Sequence, residues 1–481
     1  MESDQIKKLL CRVTGRPFFK MLLEIAEEVG ADIFLVGGVV RDWLLGRETQ
    51  DVDLALSREA LKAARIFAAR TGGTFILLRE EGETARVVTN GQTFDFCKFR
   101  GPDLEADLKG RDFTVNAIAL SLAQAFAPGE WVPCDPLKGI EDLHKRVLRM
   151  TSPDCFQQDP LRMLRAFRLS AQLGLTIHSE TRQAIKRWAL TLTRSAPERI
   201  HYEWQLLLAL DDSFVSIKEM EEAGLLTILF PELDRLKGIR QDRYHHLDVF
   251  QHSLLTFQCL EKLIQRLIPL PKDLDGEMVS TLKPDRKRAW LKWAALFHDL
   301  GKAATGNEKE GFKTFYGHPE ASQTLFSFVA ERYRLSNREK EFIEKMIGWH
   351  MRPLFLVQED RMGHLGRRAL NRLVREGADE LSCHFLLALA DSLAAQGKEK
   401  PEDLEDRLID LWRKAIFIRD EWLRPLANTL PLISGKDLIE LGLTPGPIFK
   451  TLLSEVEEEQ WDGVVKSREE ALEWVRRRVG I

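Results

Sequence analysis

The sequence predicts an α/β domain at the amino end with an all-helical body behind it. Three observations carry that reading. Short β-like runs lie between Asp32 and Phe99, and helical spacing of apolar residues dominates after about residue 155. Glycine- and aspartate-bearing motifs suited to phosphate chemistry sit in the first region, and His-Asp motifs sit in the second.

In chain order, residues 1–30 place Leu9, Leu10, Phe18, Phe19, Leu22, Leu23 and Ile25 at roughly helical spacing, which predicts one helix. The runs IFLVGG, DVDLAL, TFILLR, ARVVTN and TFDFCKF predict strands, with one helix over 58–71. The charged, proline-containing stretches 269–288 and 396–406 are the best loop or boundary candidates. Residues 430–481 open with SGKDLIELGLTPGP and end in a basic helix, which suits a last compact unit. At 481 residues the chain is long enough for several domains. Its net charge of −4 means that any nucleic-acid contact must come from local basic patches. The six cysteines are scattered with no C-x-x-C pair, which suits reduced thiols in a cytoplasm rather than disulfides or a zinc knuckle. No signal-peptide pattern opens the chain, and no apolar run is long enough to span a bilayer.

The stretch LVGGVVRDWLLGRETQDVDLAL carries the first chemistry. Asp51 and Asp53 are two apart, so on a strand both carboxylates share one face. Two such charges repel, and a hard divalent cation such as Mg²⁺ compensates them while also taking substrate phosphates. Asp95 in TFDFCKF supplies a third acid from a neighbouring strand. Gly37 and Gly38 let the backbone approach a phosphate closely at the start of a helix whose first turn holds Arg41 and Asp42. Together these features suit two-metal phosphoryl or nucleotidyl transfer.

Two further segments fit a nucleotide site. GRDFTVNAIAL holds Arg111, Asp112 and Asn116; Arg111 suits a triphosphate and Asp112 a sugar hydroxyl, while the same residues also read as a helix start capped by Asp112 and Thr114. In QQDPLRMLRAFRLSAQLGL, Asp159 takes an N-cap position and Pro160 the first helical one. Arg162, Arg165 and Arg168 follow at steps of three and share a helix face, either solvated or set to hold phosphates and base edges.

These motifs, with DLKGRDFTVNAIAL and SAPERIHYE, resemble in order those of class II tRNA nucleotidyltransferases and bacterial poly(A) polymerases, within the DNA polymerase beta superfamily, over roughly residues 20–225. The resemblance implies an α/β nucleotidyltransferase head with a mixed sheet over 1–150, an all-α neck over 151–235, a body over 236–400 and a tail over 401–481. It implies metal binding by Asp51 and Asp53, a nucleotide-phosphate site at Gly37, Gly38, Arg41 and Asp42, and sugar and phosphate contacts from Arg111, Asp112 and Asn116. Asp159 and Arg162 would pair with the incoming base, with Arg165 and Arg168 near the triphosphate. The implied substrates are CTP, ATP and a tRNA 3′ end, with a sister enzyme completing C-C-A where one enzyme adds only part of it. Two positions depart from the family pattern: Gln158 stands where a Glu is usual and Gly110 where an Arg is usual. The connection CKFRGPDLEADLKG also looks shorter than the flexible loop of enzymes that add all of C-C-A, which leans towards CC-addition; A-addition and poly(A) synthesis stay open.

YHHLDVFQHSLLT, ALFHDLGK, YGHPEAS, GWHMRP and LALADSL form a second constellation, whose mixed His and Asp ligands suit a divalent metal such as Mg²⁺, Mn²⁺, Ni²⁺ or Co²⁺. Over about 245–395 the set resembles the HD phosphohydrolases. That resemblance implies metal ligation by His252, His298, Asp299 and Asp391, a second metal or a phosphate at His318 and His350, and metal-dependent phosphoester hydrolysis. For RNA, Arg182, Lys186, Arg187, Arg194 and Arg199 are the candidate phosphate contacts, joined by Arg476, Arg477 and Arg478 at the carboxyl end.

Overall fold

The chain is described from a computed structural model covering residues 3–128, 131–283, 285–309, 312–427 and 431–481. It packs as two compact units, Met1–Leu207 with Val215–Leu229, and Leu208–Phe214 with Phe230–Ile481.

The first unit opens with two helices rather than one, α1 (Ser3–Thr14) and α2 (Pro17–Val29). Pro17 has no N–H to continue the first helix and starts the second instead. The sheet that follows contains β1 (Ile33–Val36), β2 (Asp51–Leu56), β3 (Thr74–Arg79), β4 (Thr84–Thr89), β5 (Gln92–Lys98) and β6 (Ala119–Ser121), with α3 (Gly38–Leu44) after β1, α4 (Ala60–Thr71) after β2 and α5 (Leu104–Lys109) after β5. Its order is β3-β4-β5-β2-β1-β6. Only β2 and β5 pair in parallel, so the sheet is mixed.

The alternation in DVDLAL is realised: Val52, Leu54 and Leu56 are buried, Asp51 is exposed and Asp53 is half-buried. Phe67 of α4 packs on Phe94 and Phe96 of β5, with ring centroids 4.9 and 5.6 Å apart. Such pairs stabilise beyond the area they bury. A smaller apolar cluster joins Ala55, Val36 and Ala119 to Leu108 of α5, with Leu104 and Phe99 against it. The connection from β5 to Arg111 is therefore an ordered helix, capped by Asp103, whose side chain accepts from the Ala106 N–H at 2.8 Å.

Beyond the sheet, the helix predicted to start at Pro160 runs over Leu161–Leu173, and Asp159 Oδ1 still accepts the Leu161 N–H at 3.2 Å. Small strands interrupt the helices: β7 (Val147–Leu148) pairs with β8 (Thr176–Ile177) here, and Asn307–Lys309 pairs with Phe312–Thr314 in the second unit. Of the predicted boundary at 269–288, residue 284 lies outside the described residues, and Lys272–Leu282 is a helix. Near the end, Ile433, Leu438, Leu452, Val456, Val465, Ala471 and Val475 form a local core within the second unit. Among the described residues no helix is long and apolar enough to cross a membrane.

Candidate active site and metal centre

In the first unit the acids converge as the strand pairing dictates. The parallel register sets Asp53 beside Asp95, and the antiparallel register sets Asp95 opposite Arg86. Asp95 is not free: Arg86 donates to both its oxygens, from Nε at 2.7 Å and from Nη2 at 2.8 Å. The sequence reading missed Arg86, because only the β4–β5 register identifies it as the partner.

Asp53 meets the glycine loop. The Gly38 N–H donates to its Oδ2 at 3.2 Å. Gly37 has φ 74° and ψ −137°, a conformation for glycine, and a Cβ there would come within 2.7 Å of Asp53 Oδ2 and 3.0 Å of Arg111 Nη1. Burial raises the pKa of Asp53, Asp95 adds to the rise, and Arg111 and the Gly38 N–H oppose it. A carboxylate this short of compensation suits a divalent cation between Asp51 and Asp53.

A polar chain continues from the loop. Arg41 Nε donates to Asp42 at 2.8 Å and Arg41 Nη1 to Asn116 Oδ1 at 2.7 Å; Asn116 Nδ2 donates to Asp112 Oδ1 at 2.9 Å; and Arg165 Nε lies 2.9 Å from Asp112 Oδ2. Burial works against the Asp112 carboxylate, but Arg165, Asn116 and the Phe113 N–H hold its pKa below the usual value. Asp112 therefore braces the arginines instead of capping an α-helix; only the 3₁₀ turn Thr114–Asn116 follows it. Arg111 pairs with Asp107 of α5 at 3.0 Å, so the short connection also positions this arginine.

The three arginines expected to act together divide their partners. Arg162 donates to the Gly110 carbonyl at 2.9 Å, Arg165 holds Asp112, and Arg168 binds Glu203 at 2.5 Å. Asp159 accepts Arg199 Nη2 at 2.8 Å, so Arg199, expected on RNA phosphates, is engaged within its own unit. Arg182 likewise pairs with Glu219 at 2.9 Å, whereas Lys186, Arg187 and Arg194 are exposed. At the carboxyl end Arg477 pairs with Glu473, and Arg478 with Glu455 at 2.9 Å.

The second unit gathers all six expected ligands. His252 Nε2 lies 2.8 Å from Asp391 Oδ1 and His298 Nε2 3.2 Å from Asp299 Oδ2; His318 Nε2 and His350 Nε2 lie 3.4 and 3.8 Å from Asp299 Oδ1. The Nδ1 atoms of His298, His318 and His350 each lie within 3.0 Å of the carbonyl three residues earlier, at Ala295, Phe315 and Ile347. Donation there leaves each Nε2 lone pair facing the acids, the arrangement metal-binding histidines require. Both Asp299 oxygens are buried. Burial lowers His252 to about 4 and His350 to about 3. Burial would lower His298 too, but Asp299 and Asp391 drive it up to about 10, and both acids are held well below the carboxylate range. This donor set fits a divalent cation. Lys302, whose Nζ lies 2.7 Å from Asp299 Oδ2, and His245, beside His252, were left out of the ligand set read from the sequence. Their positions within ALFHDLGK and YHHLDV were the available signal.

A glycine loop over strand-borne acids, in a mixed sheet, defines a nucleotidyltransferase of the polymerase beta kind, joined to an HD-type helical body. Residues 33–149 match the family described as the poly A polymerase head domain, 174–237 the probable RNA and SrmB-binding site of polymerase A, and 249–411 the HD domain. The chain is 34% identical to the A-adding tRNA nucleotidyltransferase of Deinococcus radiodurans over 92% of this chain and 94% of that one. It is 31% identical to the CC-adding tRNA nucleotidyltransferase of Thermus thermophilus over 92% of each. A solved CCA-adding enzyme in complex with CTP shares its fold, with a TM-score of 0.66 over 99% of both chains at 23% identity. The protein belongs to the tRNA nucleotidyltransferase and poly(A) polymerase family.

Proposed function

We propose that the protein extends the 3′ end of tRNA without a nucleic-acid template, adding C or A from CTP or ATP, with the short connection after β5 leaning to CC-addition. Asp51 and Asp53 would hold Mg²⁺, with Asp95 beside them. When bound, the ion supplies charge neutralisation at the triphosphate and activation of the attacking 3′ hydroxyl. The chain's own groups do the holding. The Gly37–Gly38 turn admits a triphosphate close to the backbone, and Arg111 and Arg165 offer fixed guanidinium charge beside it. Asp112 braces Arg165, Asn116 holds Arg41, and the two face a sugar hydroxyl. Asp159 and Arg162 read the base: a carboxylate accepts from the exocyclic amine that C and A share, and a guanidinium donates to ring acceptors. For that, Asp159 exchanges Arg199 for the base. Lys186, Arg187 and Arg194 take RNA phosphates.

The observation that carries addition of one kind of nucleotide, and with it the lean to C, is α5. The connection after β5 is short, and Leu104 and Leu108 anchor it in the apolar cluster. A packed helix has little freedom to reset the base site between one nucleotide and the next. The full-length likeness to an A-adding relative favours a second reading, addition of the terminal A, with a sister enzyme supplying the other nucleotides in either case. The HD cluster we assign to metal-dependent phosphoester hydrolysis, with His252, His298, Asp299 and Asp391 holding the cation and His318 and His350 serving a second ion or the phosphate.

The test uses tRNA lacking its last three nucleotides, or only its last, with CTP, ATP or both. Two C and no A supports C-addition. One A on a tRNA ending in CC moves the assignment to A-addition, and a long A ladder moves it to poly(A) synthesis. No incorporation under any condition overturns the reading.

A further inference from the structure

His245 lies outside the six HD ligands, yet its surroundings match theirs. Its ring packs edge-on against His252 with centroids 4.6 Å apart, and its side chain is only 14% exposed. One ligand atom each from His245, His252 and Asp391 lie within 4.8 Å of one another, as do those from His252, His298 and Asp299. The orientation of its ring is fixed in the same manner as theirs. His298, His318 and His350 each turn Nδ1 to the carbonyl three residues earlier; His245 turns Nδ1 to the carboxylate three residues earlier, Asp242 Oδ1, at 2.6 Å. A carboxylate behind a histidine selects the tautomer whose other nitrogen is a free donor to a metal and makes that nitrogen more basic.

The loop is held to the elements that bear the other ligands. Gly397, just beyond the helix of Asp391, donates its N–H to the Tyr244 carbonyl at 2.6 Å. A Cβ at Gly397 would strike the Arg243 and Tyr244 backbone at 2.2–2.6 Å, so glycine is required for this contact. Arg243 Nη1 binds Glu399 at 2.8 Å across the same junction. On the other side, Lys302 Nζ donates to Gln241 Oε1 at 2.7 Å while also contacting Asp299. The loop of His245 is thus tied to the segment that follows Asp391 and, through Lys302, to Asp299.

We propose that His245 is a fifth protein ligand of the seat formed by His252, His298, Asp299 and Asp391, with Asp242 as its positioning residue. The inference rests on the HD centre holding a cation. Three imidazoles and two carboxylates would favour a first-row transition cation over Mg²⁺.

The test uses full-length protein carrying Asp51→Asn and Asp53→Asn, so that the head acids contribute no site, and loads it with Co²⁺. Chelator competition gives the affinity, and proton NMR of the paramagnetic protein counts the shifted, exchangeable imidazole N–H signals. His245→Gln is expected to weaken Co²⁺ by about 100-fold and to remove one shifted signal, and Asp242→Asn to weaken it by about 10-fold with that signal moved or lost. Circular dichroism and melting without Co²⁺ show whether each variant folds, and Asp242→Asn keeps the test open if His245→Gln does not. Unchanged affinity and an unchanged number of signals in His245→Gln overturn the assignment while leaving the HD centre standing. If the unsubstituted HD centre takes no Co²⁺, so that Asp299→Asn makes no difference, both the centre and the fifth ligand fail.

Discussion

The two candidate sites meet the same problem, carboxylates away from water, in opposite ways. In the head, arginines answer the acids: Arg86 holds Asp95, Arg165 holds Asp112 and Arg111 faces Asp53. In the helical unit the answer is four imidazoles and Lys302, whose Nζ lies 2.7 Å from Asp299 Oδ2. Guanidinium charge is permanent, whereas imidazole charge depends on pH and gives way to a metal. On the proposed reading, the head would stand folded and wait for a cation that arrives with its triphosphate, and the helical unit would be built around a resident ion. Each of the following experiments breaks or sharpens that contrast.

The largest expected effect is on the head's chemistry. Asp53→Asn keeps the side-chain shape and removes the charge facing the Gly37–Gly38 turn. Incorporation of labelled CTP or ATP should fall by at least about 10²–10³-fold, the scale for losing a preorganised electrostatic group. Melting should change little, because Arg111 opposite it is also held by Asp107. A variant that keeps its activity would remove Asp53 from the site.

The helical unit should show the reverse, a stability effect. A cation at 100 times its Kd stabilises the folded form by about 2.7 kcal/mol. Denaturant unfolding with Mn²⁺ or Co²⁺ and with chelator should differ by that amount. Asp299→Asn should abolish the difference and leave nucleotide incorporation unaltered. An equal response in both proteins would place the stabilising ion elsewhere.

How much of this was legible in the sequence differs between the two sites for a physical reason. Asp51 and Asp53 declared themselves because strand alternation needs only two residues of spacing. The partner of Asp95 did not, because Arg86 is matched to it by hairpin register and not by any local pattern. The shared face of Arg162, Arg165 and Arg168 was readable from helical periodicity. Their separate partners, the Gly110 carbonyl, Asp112 and Glu203, were not, since each lies on a distant segment. The candidate HD residues were readable by motif, yet His245 and His246 are adjacent in sequence, and only the fold, through Asp242 and His252, distinguishes them. The single helix expected over 1–30 failed at Pro17, where the ring forbids the turn that apolar spacing alone would continue.

A smaller effect separates the buried histidines of the HD cluster from one outside it. His384 stacks on Trp349 with centroids 5.1 Å apart, and neither of its ring nitrogens has a hydrogen-bond partner. Burial, with Lys345 and Arg352 nearby, lowers its pKa to about 3. The folded value lies below the unfolded one of about 6.5, so the unfolded chain takes up the proton first. The neutral ring's contribution is complete above about pH 6.5 and is lost at about 1.4 kcal/mol per pH unit as pH falls towards 3. His384→Phe keeps the stack and should remove that share of the acid sensitivity, read as a shallower decline of unfolding free energy between pH 6.5 and 5. A decline as steep as that of the parent would mean His384 is already paired.

The smallest effect tests whether the head's arginine compensation is electrostatic at all. Arg86 and Asp95 are respectively 43% and 22% exposed, so solvent screens the pair and Arg86→Met should cost less than about 1 kcal/mol of stability. Its informative consequence lies one strand away. Asp95 raises the pKa of its neighbour Asp53, and Arg86 offsets part of the Asp95 charge. Removing the guanidinium exposes Asp53 to more of that charge and raises its pKa further. A carboxylate with a higher pKa becomes charged only at higher pH, so the acid limb of the incorporation profile should move upward, by less than about one pH unit. If the limb stays in place while stability drops as expected, Arg86 only ties β4 to β5. A shift would instead make that cross-strand pair part of the setting of the acid that the glycine loop holds.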